Sequence, residues 1–551
     1  MKLLILGGYG VFGSRLAELL ADLSDLEILI AGRNLTKATS FCDGYQGEAN
    51  VTPLQLDRVE IATRLPEIMP DILVDASGPF QDYGESCYSV IEACIAHKIN
   101  YLDFADAADF VFGVSQFDNA AHSAGIFVLS GVSSFPVLTA AVLREIAKNT
   151  EIVSVTGGIA PSPYAGIGLN VMRAVVSYAG SPVKLIRHGK PATGIGLGES
   201  IRYTVAPPGQ LPLRNIHYSL VEVPDLQVIP PEHPSIRDIW MGAGPVPEIL
   251  HRVLNLLAKA RARFGWKPLT RHAPLFYQIL NMMKFGEHRG GMFIHVKGKR
   301  DGKPTAHSWH LLAEGDDGPY IPSMAVEAII RKKLAGDNPA FGARSTTNAL
   351  ELDDYRELFE NRTISMGFRA EPNGTVYPRI LDNAFDQLPG QIKKLHRLEH
   401  TQVWKGQGKV TGGQTPLTRF IAATIGFPTH THETPVTVTL TPHAGTEHWQ
   451  RDMGGHRFSS VQAVGKGRNT HLLTERFGPI TVALALVLKE GRLHLTPRRW
   501  SLLGLPLPKF LLPQGDSFEE EIDGRFNFNV TIKAPFVGLI VAYKGWLEPV
   551  S

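Results

Sequence analysis

Three cysteines in 551 residues are too few for a disulfide framework. Cys87 and Cys94 lie seven apart, on one face of a helix, and Cys42 stands alone. No CxxC pair offers a metal its usual spacing. The expectation is a reducing compartment, the cytoplasm, with no structural metal. Long apolar runs are also scarce. The best is "AGIFVLSGVSSFPVLTAAVL", Ala124 to Leu143, twenty uncharged residues broken at the centre by Ser130, Gly131, Ser133, Ser134 and Pro136. It reads as a buried strand, a turn and a helix rather than a membrane span. The opening "KLLILGG" shows neither a basic leader nor a small-residue cleavage site, which argues against a signal peptide. Net charge is nearly absent as well, at +2, and nothing in the chain points to nucleic acid.

That balance hides an asymmetry. Pro245 to Lys303 carries twelve Lys/Arg against three Asp/Glu, a local +9 that leaves −7 for the remainder. Within it, "VPEILHRVLNLLAKARARFGW" sets Ile249, Leu250, Val253, Leu254, Leu257, Ala260 and Phe264 along one helical stripe, with Arg252, Lys259, Arg261 and Arg263 on the other side. Such a helix suits peripheral contact with an anionic membrane surface. It equally suits a solvated face over an ordinary core, or the interface of a homodimer.

The length predicts three to four domains, and an apolar fraction of 44% is ordinary for globular protein. The first 145 residues alternate strand and helix patterns. Candidate strands are Lys2–Leu6, Glu27–Ala31, Ile72–Ala76, Tyr101–Phe104 and Ile126–Leu129, which imply a parallel, doubly wound α/β sheet of the Rossmann type. Directly after the first strand, Gly8, Gly10 and Gly13 spell G-x-G-x-x-G at the start of a helix. In that motif Gly8 permits the tight turn, Gly10 lets backbone approach a pyrophosphate, and Gly13 lets helix and strand pack closely. Gly7, Gly8, Gly10, Val11, Phe12 and Gly13 are therefore the candidate dinucleotide cradle, with helix amides facing the phosphates.

One position separates NAD from NADP. A carboxylate at the end of the second strand binds a free 2′-hydroxyl and repels a 2′-phosphate. Here "EILIAGRN" places Arg33 and Asn34 there, and an arginine pairs with a phosphate and stacks on adenine. The expected cofactor is NADP.

The segment "DILVDASGPFQDYGESCYSVIEACIAHKINYLDFAD" puts Ser77, Gly78, Pro79 and Phe80 at the carboxyl edge of the sheet, where ligands bind. With Gly78-Pro79-Phe80, Cys94 and Tyr101-Leu102-Asp103, the chain resembles the saccharopine dehydrogenase-like oxidoreductases. The resemblance continues through "GVSSFPVLTAAV" and "GARSTTNALELDDYRELF", and so covers about the first 370 residues. It implies that Gly8, Gly10, Gly13, Arg33 and Ser77 to Phe80 line the nucleotide site. It also implies that residues 146–370 form an α+β domain for substrate contacts and pairing. Where that family often has Gly-Glu, this chain reads Ala105-Asp106-Ala107. Asp106, Asp103 and Tyr83 are the candidates for a proton relay beside hydride transfer. The alternatives are Asp103 as a strand-end anchor and Tyr83 as a packed aromatic.

Other motifs are less specific. "TGIGLGES" lacks the lysine of a phosphate loop, and an irregular loop over the active site is expected in its Pro/Gly-rich surroundings. Asp301-Gly302 reads as a hairpin turn. Glu287, His288 and Arg289 suit either a polar substrate group or ion pairs within the domain.

After residue 370 the pattern changes. Helices are expected at Phe385 to Leu398, with Leu388, Ile392 and Leu395 inward, and at Pro416 to Ile425, with Leu417, Phe420, Ile421 and Thr424 on one face. Period-two runs follow, such as Ile480-Val482-Leu484-Leu486-Leu488 and Phe526-Phe528-Val530-Ile532, and Lys489-Glu490-Gly491-Arg492 joins two strands as a hairpin. Two helices on a curved antiparallel sheet, or a small barrel, would enclose an apolar cavity or pack solid. From "RRWSLLGLPLPKFLLP", "GRFNFNV" and "YKGWLEP" the region, about 385–549, is similar to a bacterial domain family of unknown function, number 4166, which brings no chemistry. Trp449/Arg451 and Arg498/Arg499/Trp500 suit an anionic amphiphile. His430, His432, His443, His448 and His456 are too loosely spaced for a metal.

The sequence thus predicts a Rossmann domain (1–145), an α+β domain (146–370) and a mainly antiparallel C-terminal β domain with two helices (385–549). The expected activity is that of an NADP-dependent oxidoreductase acting on a small or lipidic substrate. The alternative is an adaptor that senses nucleotide or binds lipid without turnover.

Overall fold

The apolar run Leu3-Leu4-Ile5 forms a strand buried on both faces, as a parallel sheet covered by helices requires. In the computed structural model, which describes residues 1–550 other than 167, 371–373 and 430, the five expected strands form and Asn50–Gln55 adds a sixth. They are β1 (Lys2–Leu6), β2 (Glu27–Gly32), β3 (Asn50–Gln55), β4 (Ile72–Asp75), β5 (Asn100–Asp103) and β6 (Phe127–Ser130). All pair in parallel in the order β3-β2-β1-β4-β5-β6, with helices α1 (Val11–Leu19) and α2 (Leu35–Asp43) after the first two. The order reverses between β1 and β4, so a crevice opens at the carboxyl ends of those strands.

The sheet also takes a late strand. Gly342–Ser345 pairs in parallel with β6, which covers an edge that would otherwise stand open. The helix Ile321–Leu334 packs on α1, where Arg331 bonds the Leu19 carbonyl at 2.9 Å and Asp22 at 2.7 Å. The segment "GARS" is therefore part of the parallel sheet.

A mixed sheet follows, centred on Glu151–Ala160. Asp238–Ala243 runs parallel to it on one side and Arg289–Arg300 antiparallel on the other. Arg289–Arg300 turns through Asp301 (φ 51°) and Gly302 (φ 73°) into Lys303–Glu314, the expected hairpin. The region around "TGIGLGES" departs from expectation. Pro182–Arg187 and Lys190–Ile195 form a two-stranded ribbon, with turn residues His188 and Gly189 at positive φ. The glycines and prolines here punctuate strands instead of making an irregular loop.

The chain divides into two compact units, 1–203 with 216–365, and 204–215 with 366–551. The second is built on a closed antiparallel barrel. Among the described residues, ten strands run from Gln402–Gly412 to Gly538–Pro549, which pair with each other, and Ile480–Lys489 pairs with Arg492–Leu502 to complete the ring. Glu490 and Gly491 make that hairpin turn, both at positive φ. The helix expected at 385–398 is shorter, Gly390–His396, because Pro389 cannot lie inside it and Leu388 is extended. The helix Pro416–Ile425 forms as expected, capped by Thr415. Leu417 and Phe420 nevertheless face outward, and Ala422 and Thr418 are buried instead.

Candidate functional site

The turn after β1 is fixed by backbone. Gly7 and Gly8 both donate to the Ala31 carbonyl, at 2.8 and 3.0 Å. The positive φ of +82° falls at Gly7, where a Cβ would stand 2.7 Å from the Ala76 oxygen. The tight turn expected at Gly8 thus belongs to Gly7. Gly13 has the predicted role: a Cβ there would lie 2.6 Å from the Gly7 oxygen, so α1 can approach β1 only without a side chain. Gly10 caps α1, and the first amides of that helix have no partner within it. Val11 is exposed at the helix start, and Phe12 stacks on Phe104 at 5.5 Å. Together these groups form a backbone cradle that fits a pyrophosphate.

Arg33 and Asn34 follow β2 at the rim. Asn34 is committed to structure: its side chain accepts from Lys37 N at 3.0 Å, and its own amide donates to Tyr9 Oη at 3.1 Å. Arg33 is exposed, and no carboxylate pairs with it among the described residues. Lys37, one turn into α2, is exposed on the same rim. The sequence reading passed over it, although Arg-x-x-x-Lys astride a helix start was the available signal.

Ser77, Gly78, Pro79 and Phe80 leave β4 at the mouth of the crevice. Beneath them lies a polar network anchored by Asp75. That fully buried carboxylate accepts from Ser77 N (2.9 Å) and Ser77 Oγ (2.5 Å), and Arg58 Nε stands 3.7 Å from its other oxygen. Burial raises the Asp75 carboxyl, while Ser77 and Arg58 oppose the shift. Ser77 Oγ also meets Tyr83 Oη at 2.8 Å, and the Arg58 guanidinium lies 3.6 Å over the Tyr83 ring. Burial raises the Tyr83 phenol above its ordinary range, so it stays protonated. Phe80 packs on Tyr83 and Phe110.

The two aspartates differ. Asp103 is fully buried and accepts from Ala105 N (2.9 Å) and Gly131 N (2.7 Å), which ties the turn after β6 to β5. Burial pushes it up to about 7. Asp106 lies beyond the strand, half-buried, and accepts from Gln81 Nε2 at 3.1 Å. Burial raises its carboxyl, and the Gln81 bond opposes that. A second carboxyl comes from the mixed-sheet side: Glu222 accepts from Ala108 N at 2.8 Å and is pushed up to about 7, first by burial and then by Asp106. Burial, Asp106 and Glu222 together hold the Tyr178 phenol well above its ordinary value. The helix Leu169–Tyr178 closes the crevice from the other side, where Asn170 Nδ2 donates to the Gly78 carbonyl at 2.8 Å.

The structure thus brings Ser77, Tyr83 and Asp106 to one crevice and sets Asp103 below it as an anchor. Asp75, Arg58, Gln81, Glu222, Tyr178 and Asn170 escaped the sequence reading. Their roles arise from burial and from partners distant in the chain. Other candidates have internal partners: Arg289 pairs with Glu287 and Glu314, and His288 bonds Asp316 at 3.1 Å. Among the described residues no group of His, Cys, Asp and Glu could hold a metal, and His430 lies outside them.

The doubly wound sheet and its glycine turn define a fold of Rossmann type, whose cradle suits a dinucleotide. More particularly, residues 3–129 match the saccharopine dehydrogenase NADP binding domain, and residues 388–547 match a domain of unknown function, DUF4166. The chain thus carries one segment similar to that NADP binding domain and, further along, one similar to that domain of unknown function. Comparison with curated proteins finds no match. Among solved structures, apo saccharopine dehydrogenase (L-Glu forming) from Saccharomyces cerevisiae is 13% identical, with TM-score 0.48 over 67% of this chain and 99% of that one. An amine dehydrogenase from Mycobacterium smegmatis is 12% identical, with TM-score 0.32 over 63% and 95%. The WlbA dehydrogenase from Thermus thermophilus, solved with NAD and α-ketoglutarate, is 14% identical, with TM-score 0.29 over 62% and 90%.

Proposed function

We propose that the protein is an NADP-dependent oxidoreductase whose substrate sits in the crevice between Ser77–Tyr83, Asp106 and the helix Leu169–Tyr178. The observation that carries the cofactor choice is Arg33, exposed at the end of β2 with no carboxylate partner among the described residues and with Lys37 on the same rim. Two cations at a helix start suit a 2′-phosphate. Bound there, the nicotinamide supplies or takes the hydride. The chain positions the reacting carbon and handles the proton. In the reductive direction, Asp106, raised by burial, gives its proton to the oxygen or nitrogen of the accepting double bond and is reprotonated from solvent, and the neighbouring Glu222 is itself pushed up to about 7.

Fluorescence titration tests the cofactor reading. Wild-type protein should bind NADPH more tightly than NADH. Arg33→Asp should weaken NADPH by about 10–100-fold and improve NADH; equal wild-type affinities would sink the reading. NADPH bound tightly but never oxidised with any carbonyl or imine substrate would favour the adaptor instead.

We also propose peripheral contact with an anionic bilayer through the helix Glu248–Phe264 and the segment after it. Its buried face is unexpectedly polar. His251, Asn255 and Ala258 point inward, with Asn255 Nδ2 donating to the Leu197 carbonyl at 2.9 Å and its Oδ1 meeting His217 at 2.9 Å. Three of the seven residues in the apolar stripe are turned to solvent. Ile249, Val253 and Phe264 are exposed, as are Leu256, Trp266, Met282 and Phe285. Arg252, Lys259, Arg263, Lys267, Arg271 and Lys284 are exposed along the same stretch, which holds a single acid between 248 and 284. Apolar side chains fringed by cations complement an anionic lipid surface. Among the described residues no helix is long and apolar enough to cross a membrane.

A further inference from the structure

The lumen of the C-terminal barrel encloses a cavity of about 390 Å³. Its wall is overwhelmingly apolar, built from the inward residues of the strands, such as Val438, Leu484, Phe526 and Ile540, and from Ile421 and Ile425 of the helix Pro416–Ile425. An unfilled cavity of this kind forfeits the dispersion contacts its lining would make, and an apolar one stays dry rather than filling with water. At roughly 30 Å³ per water- or methylene-sized group, the space takes about a dozen heavy atoms in a row.

The wall is not uniformly apolar. On three neighbouring strands, Glu447, Gln462 and Glu475 stand opposite one another in register, all buried. Arg451 in the same wall pairs with Glu475 at 3.2 Å and with Ser460 at 2.9 Å, and His396 Nε2 meets Glu519 at 2.6 Å. Two lining groups are left over. Gln462 is 1% exposed and Tyr377 is 0% exposed, yet Gln462 Oε1 and Tyr377 Oη have no hydrogen-bond partner among the described residues. A buried polar group without a partner is costly; a hydroxyl can donate to Gln462 Oε1 or accept from the Tyr377 phenol, and a carbonyl can accept from that phenol. A charged head fits poorly. Among the described residues the one arginine of this wall is already paired, and Glu475 and Glu519 beside the lumen disfavour an anion.

We infer that the barrel is a binding site for an uncharged single-chain lipid, an acyl or isoprenoid molecule with one hydroxyl or carbonyl, whose chain fills the lumen and whose polar group meets Gln462 and Tyr377. This site lies wholly within the C-terminal unit and does not rest on the redox reading.

Displacement of N-phenyl-1-naphthylamine from the delipidated full-length protein tests it. One equivalent of probe should bind and be displaced by dodecan-1-ol, with dodecyl phosphate at least tenfold weaker. Val482→Trp, which fills the lumen, should abolish probe binding. Gln462→Leu should keep it and weaken dodecan-1-ol about tenfold. The site is refuted if folded wild-type protein shows no saturable probe binding, or if folded Val482→Trp binds the probe as wild type does. Equal competition by dodecyl phosphate would refute the uncharged head. Should Val482→Trp fail to fold, an unchanged affinity of Gln462→Leu for dodecan-1-ol overturns the assignment.

Discussion

A carboxyl raised above the usual range gives up a proton nearer neutral pH than an ordinary aspartate does, and burial raises Asp106 against its bond from Gln81. With a substrate in hand, Asp106→Asn should lower kcat by about 10²–10⁴-fold while leaving NADPH affinity within about twofold. Asp106→Glu should restore part of the rate, and a pH–rate profile with unchanged limbs in Asp106→Asn would remove the residue from the mechanism. Asp225 offers a test of stability. It is fully buried and burial pushes it up to about 7, above its unfolded value near 4. Its contribution is therefore present below pH 4 and lost as pH rises through 7, because the unfolded chain releases the proton first. The melting temperature of Asp225→Asn relative to wild type should climb by about several degrees between pH 4.5 and 7.5; a constant difference would refute the raised value. The glycine cradle and Arg33 were legible in the sequence because each answers a local demand, a backbone turn or a charge at a strand end. Asp75, Glu222 and Asp225 were not, since an acid acquires its meaning only from what buries it.

The same contrast holds for elements. Five of the seven strands of the first sheet announced themselves by apolar runs, Asn50–Gln55 and Gly342–Ser345 did not, and the turns at Asp301-Gly302 and Glu490-Gly491 were legible as hairpins. The helix Glu248–Phe264 was legible as a helix but not in its facing. Asn255 and His251 are inward because a carbonyl and another imidazole await them across the fold, which periodicity cannot show. Its exposed face gives a prediction. Wild-type protein should co-sediment with vesicles containing phosphatidylserine and less with neutral vesicles, the difference fading at high salt. Ile249→Glu with Leu256→Glu should weaken binding roughly tenfold or more, while leaving NADPH binding intact. Equal binding of the double variant would show that the apolar face takes no part.

The whole molecule departs most from a reading in consecutive blocks. Residues 204–215 leave one unit between the strands Ser200–Tyr203 and Ile216–Leu220 and belong to the other. There Leu488 N donates to the Gly209 carbonyl at 2.8 Å, Arg369 Nε to Ala206 O at 2.6 Å, and Arg498 Nη2 to Pro212 O at 3.0 Å. Leu211 packs on the outer wall of the barrel against Leu472, Ala483 and Ala485. Nothing local to 204–215 marks this attachment, so the sequence could not reveal it. A fragment 366–551 should melt lower than the same fragment with a synthetic 204–215 peptide, by about several degrees. No stabilisation by the peptide would mean that the strap adds nothing to the barrel. The strap also sets a schedule for synthesis. Leu211 leaves the ribosome before Leu472 and Ala485 have been made, and at about 5–20 residues per second the wait is on the order of tens of seconds. Through that interval an apolar segment flanked by two completed strands has no wall to rest on, and it is there that a nascent chain of this protein would need a chaperone.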